Sequence, residues 1–141
     1  MSESVKRSTF AFEPIAIVGQ GCMLPGCPSP SELWQSCAEG RVHITTPPSG
    51  DWRVDMARVL DGSSRYVPDR SWSDRGGYVR DFARHFDPAA SRLDAELVSQ
   101  LDPVFQWSLY AAQQALAELG DVDGARSGVI LGNLSYPTRA H

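Results

Sequence analysis

The sequence predicts an α/β fold built on a parallel sheet, and three observations carry that reading. Ile15-Ala16-Ile17-Val18 is a continuous apolar run rather than an alternating one. Gly128-Val129-Ile130-Leu131-Gly132 is a second. Such runs fit strands covered on both faces, as in parallel sheets. Between them lie helices with marked starts, in the order strand, helix, irregular insert, short helix, long helix, strand. That alternation belongs to α/β architectures. Two strands alone leave open edges that need cover, so the pattern reads as part of a larger domain.

Taken in order, residues 1–12 begin with the polar stretch MSESVKRSTF and read as a flexible tail, with the folded segment over 13–141. The first strand ends in Gly19-Gln20-Gly21. Ser29-Pro30-Ser31-Glu32 then predicts a helix start. Ser29 is placed to cap, Pro30 suits the first helical position, and Glu32 completes a capping box. Leu33, Trp34, Cys37 and Ala38 would form its apolar stripe, and Gly40 is placed to end it. Residues 41–81 are turn-rich, yet Trp52, Tyr66, Trp72 and Tyr78 recur through them. Aromatics are scarce in disordered linkers, so the stretch reads as an ordered excursion packed on a body.

Ser91 to Asp94 offers a second capping box, opening a short helix through about Gln100. Asp102-Pro103 starts the longest helix. Phe105, Ser108, Leu109, Ala112, Leu116 and Leu119 share one face, widened by Trp107, Ala111 and Ala115. Gly120 is a natural residue to follow its end.

Composition narrows the function classes. Hydrophobic residues make up 42% and charged ones 21%, and the net charge is −4 with the signs dispersed. No basic block marks a nucleic-acid partner. No apolar run approaches the ~20 residues of a membrane span, and the start lacks the apolar core of a secretory signal. Three cysteines, an odd number, give no disulfide framework. Together these features place the chain in the reducing cytoplasm.

The motifs with chemical potential read mostly as framework. Gly19-Gln20-Gly21 lacks the third glycine of a dinucleotide fingerprint, because Leu24 stands there and Pro25 blocks a helix. A tight turn after a buried strand explains it better. Cys22, Cys27 and Cys37 are spaced by five and ten; the first pair barely meets the C-x₂₋₄-C pairing of zinc sites and nothing supplies a second pair, so no metal is expected. Cys37, on the apolar stripe, reads as a small core hydrophobe. Cys22 would need a partnered base to act as a nucleophile, and no sequence feature supplies one. His43, His85 and His141 fall in loops or at the terminus and read as surface residues.

The stretch from Glu13 to about Tyr136 resembles the N-terminal part of a β-ketoacyl synthase, the condensing domain of type I polyketide and polyunsaturated fatty-acid synthases. EPIAIVGQGCMLPGCPSPSELWQSCAEGRVHIT is similar to the family's opening motif. PPSGDWRVD, DRGGYVRDFARHFDPAAS, LDPVFQWSLYAAQQALAELG and SGVILGNLSYP follow in family order at near-family spacing. Two departures stand out. Val104-Phe105-Gln106 occupies the place of Gln-Gln-Arg in modular enzymes, and Asn133-Leu134-Ser135 replaces a small-residue run. The GNLSYP ending looks like that of iterative synthases making polyunsaturated fatty acids or related lipids.

The resemblance implies an incomplete thiolase-like fold, layered αβαβα, of which this chain supplies the N-terminal portion. It implies decarboxylative Claisen condensation between acyl and malonyl groups on an acyl carrier protein. The nucleophilic cysteine of the family lies in an Ala-Cys-Ser context beyond the matched final strand, and its catalytic histidines lie farther on. Cys22 would then be framework, no catalytic residue is expected within the chain, and the chain alone would be inactive. Asn133, Leu134 and Ser135 would line the acyl channel. The family uses no metal or redox cofactor of its own, the phosphopantetheine arm belonging to the carrier protein. The implied partners are that carrier, the rest of the ketosynthase domain and a second copy in a homodimer. A rival reading is a non-catalytic ketosynthase-like module that binds a carrier protein or a synthase partner.

Overall fold

The computed structural model describes residues 14–48, 50, 54–63, 65–117 and 119–133. The tail expected over 1–12 lies outside them. Four helices and one two-stranded ribbon make up the regular structure, with three-residue 3₁₀ turns at Phe82–Arg84, Pro88–Ala90 and Gly124–Arg126.

Helix α1 (Pro30–Ala38) begins as its sequence dictates. Ser29 is extended, and its Oγ accepts from the Glu32 N–H at 3.4 Å. The same hydroxyl donates to Glu32 Oε2 at 2.6 Å, so the box closes between side chains. At the other end Gly40 takes φ +63. The Gly40 and Arg41 N–H groups donate to the Cys37 and Ser36 carbonyls at 3.2 and 2.9 Å, a Schellman closure that satisfies two carbonyls the helix leaves open. The buried face differs from the expected one. Ser36 is the buried residue, Leu33 is half-buried, and Trp34 (76% accessible), Cys37 and Ala38 are exposed. Cys37 is therefore not a core residue. The helix turns its Ser36 edge toward His43, because that side offers a hydrogen bond.

The excursion is ordered by local pairing. Strands β1 (Ile44–Thr45) and β2 (Gly76–Gly77) run antiparallel, with Ile44 opposite Gly77 and Thr45 opposite Gly76. Arg75 Nη2 donates to the Ile44 carbonyl at 2.8 Å, and Arg80 Nη2 donates to the Thr46 carbonyl at 2.6 Å and Thr45 Oγ1 at 3.2 Å. Helix α2 (Met56–Val59) is capped by Asp55, and Leu60 and Ser71 bridge behind it. Of the expected anchors, Tyr78 is half-buried and donates to the Asp74 carbonyl, whereas Tyr66 and Trp72 are exposed. Trp52 lies outside the described residues.

Helix α3 (Ala95–Gln100) is capped by Asp94, three residues after the predicted cap Ser91. Asp94 Oδ1 accepts the N–H groups of Glu96 and Leu97 at 2.8 and 3.0 Å, while Ser91 Oγ donates to the Pro88 carbonyl. A carboxylate reaching two amides outcompetes the hydroxyl. Helix α4 (Pro103–Leu116) follows Asp102, whose Oδ1 accepts from the Val104 N–H at 3.0 Å. Gln106 Nε2 donates to the carbonyls of Val98, Ser99 and Leu101, closing the end of α3 against α4. Val98 beneath it is fully buried. Helix α4 stops at Leu116 without the positive-φ glycine expected at Gly120.

The face that α4 buries is the predicted one only in part, through its widening residues Trp107, Ala111 and Ala115. Phe105, Ala112 and Leu116 are exposed. The packed face carries Trp107, Tyr110, Ala111, Gln114 and Ala115, still at helical spacing. Phe82 lies 6.5 Å from Trp107 and 5.8 Å from Tyr110 between ring centroids, both edge-on, and stacks on Phe86 at 5.1 Å. Each such pair contributes about 0.5–1.5 kcal/mol beyond area burial.

Gly19 and Gly21 pass directly over the other part of this face. A Cβ on Gly19 would overlap the Ala115 carbonyl, and one on Gly21 would overlap the Ala111 carbonyl. The glycines are thus required by backbone against backbone. The runs at 15–18 and 128–132 lie without a ladder among the described residues, and Ile130 is 99% accessible. The expected parallel pair is absent among them, and the observed sheet is the antiparallel ribbon. A strand needs a neighbour for its N–H and C=O groups, and these two segments meet none here.

Gly21→Ala should destabilise the chain by about 1–3 kcal/mol, the usual cost of forcing atoms into packed space. Trp34→Ala should stay within about 0.5 kcal/mol, as for exposed sites. Urea unfolding followed by circular dichroism checks both. A neutral Gly21→Ala would mean that the segment does not lie on α4.

Candidate functional site

The candidate site is the glycine-cysteine segment, where the sequence concentrates its unusual residues. Leu24 and Cys27 exchange backbone hydrogen bonds of 3.1 and 3.0 Å around Pro25-Gly26. Proline followed by a positive-φ glycine is the signature of a tight type II turn, and Gly26 has φ +67. The His43 ring lies against Gly26 where a Cβ would stand. His43 Nε2 shares a 2.7 Å hydrogen bond with the buried Ser36 hydroxyl. His43, expected at the surface, is a half-buried strut joining the turn to α1. His85 is exposed as expected, and His141 lies outside the described residues.

Gln114 of α4 clamps the segment from the other side. Its Oε1 accepts from the Cys22 N–H at 2.9 Å, and its Nε2 donates to the Pro28 carbonyl at 2.5 Å. One amide satisfies a donor and an acceptor that flank the turn. Cys22 Sγ donates weakly to the Cys27 carbonyl at 3.7 Å. Burial pushes the Cys22 thiol above its ordinary pKa, and the neighbouring Cys27 and Glu32 push it the same way. A nucleophilic cysteine needs the opposite shift. Cys22 thus shows no feature of an activated thiol, and Cys27 beside it is only 1% accessible.

A cleft of about 390 Å³ opens beside the turn, with Glu32, His43, Tyr78, Arg80, Asp81 and His85 on its wall. Arg80 is already engaged with Thr45 and Thr46. Among the described residues no three His, Cys, Asp or Glu side chains converge as metal ligands. Of the three expected channel residues, Asn133 is exposed, and Leu134 and Ser135 lie outside the described residues. Sequence reasoning missed Gln114 and His43. Gln114 does fall seven residues after Trp107 on the packed stripe, but its polarity hides it from a search for apolar periodicity.

Gln114→Leu leaves two part-buried backbone groups unpaired and should cost about 1–3 kcal/mol, the penalty for such a loss. Denaturant midpoints check it, and an unchanged midpoint would remove the clamp from the account. Alkylation should mark Cys37 first. Because the Cys22 pKa is raised, its labelling should stay slow at neutral pH and accelerate only above the range of a free thiol, as timed peptide mapping would report. Cys22 labelling as fast as Cys37 would contradict the burial argument.

With this geometry in view, the comparisons identify the architecture. The family described as Beta-ketoacyl synthase, N-terminal domain, matches residues 12–140. The chain is 35% identical over 136 residues, 88% of its length, to the highly reducing polyketide synthase resH of Aspergillus sclerotiorum. It is 36% identical over 125 residues, 85% of its length, to the erythronolide synthase EryA2 of Saccharopolyspora erythraea. It spans only 5% and 3% of those two proteins. The solved PfaC keto synthase–chain length factor superposes with a TM-score of 0.63 at 30% identity, over 74% of this chain and 11% of that one. The thiolase-like α/β assignment therefore stands, although the described residues form no parallel sheet. The chain belongs to the β-ketoacyl synthase family, matching its N-terminal domain.

Proposed function

We propose that the chain acts as the framework part of a condensing domain that extends polyketide or fatty-acyl chains, and that it carries none of the reacting groups itself. In this reading an acyl group passes from a carrier-protein thiol to a cysteine outside these 141 residues. The carrier-bound malonyl unit loses carbon dioxide, and its carbanion attacks the new thioester and releases the cysteine. Covalent catalysis divides the transfer into two easier steps. The phosphopantetheine that bears both groups belongs to the carrier protein, and the framework would contribute to the shape of the domain that receives it. The observation that carries the proposal is the state of Cys22. It lies in the matched opening motif, but burial raises its pKa, its Sγ contacts the Cys27 carbonyl, and His43 is hydrogen-bonded to Ser36.

The chain, incubated with acyl- and malonyl-carrier protein, should form no β-ketoacyl product above the blank. Product that disappears on Cys22→Ala would overturn the framework role. In a complete synthase carrying this segment, Asn133, Leu134 and Ser135 would shape the acyl channel. Ser135→Phe should then shift preference toward shorter acyl chains by roughly 10–200-fold, the discrimination that one blocked methylene allows. Acylation measured across chain lengths tests this, and an unchanged profile would place the loop away from the channel.

A further inference from the structure

We draw no further inference here: the strongest candidate, the surface patch made by the exposed apolar runs at 15–18 and 128–132, makes no ladder among the described residues, and nothing in the structure shows what covers it.

Discussion

The close approach of one extended segment to one helix backbone governs this structure. Gly19 and Gly21 lie on α4 where any side chain would overlap a carbonyl. That contact leaves no room for apolar interdigitation, so a hydrogen-bonding side chain completes it. Gln114 supplies both bonds, to Cys22 and to Pro28. The turn between those residues is then held from the far side by His43, which Ser36 of α1 orients. Thus α4, the glycine segment and α1 are joined through a short chain of polar contacts that link residues distant in sequence. The aromatic group of Phe82, Phe86, Trp107 and Tyr110 anchors the same helix face nearer its start.

This arrangement decides what the cysteines can do. A thiol beside a buried neighbour and a carboxylate is disfavoured as a thiolate, and Cys22 has both around it. The family match covers residues 12–140, while the chain spans 5% and 3% of the two relatives described. The exposed apolar runs at 15–18 and 128–132 meet no strand among the described residues.

Helix starts were the most legible part of the fold. Ser29-Pro30 and Asp102-Pro103 act through bonds to amides two or three residues away, and local chemistry reads locally, although the cap of α3 fell on Asp94 rather than Ser91. The glycine turn after the first apolar run was legible as a turn, though not as a helix contact. Faces were read less well. Trp34 and Phe105 were placed inward by their hydrophobicity, but both lie exposed. The faces in use are chosen by fit to a partner: small residues at Ala111 and Ala115 opposite glycines, and Gln114 opposite two backbone groups. Such partners lie 86 and 92 residues away, beyond any periodicity. The strands were legible as apolar runs, yet their ladders depend on neighbours absent from the described residues. By residue pattern alone the sequence showed no catalytic site, so the expectation about reacting groups came from the resemblance only.

The central claim is that the Gly19–Cys22 segment is locked to α4 as framework. Native-state hydrogen exchange at the Cys22 amide measures this most directly, because that N–H is held by the Gln114 side chain alone among the described residues. The account predicts protection comparable to amides in the middle of α4, and its selective loss in Gln114→Leu while the α4 amides stay protected. Exchange of the Cys22 amide at the rate of an open loop in the unmodified chain would contradict it.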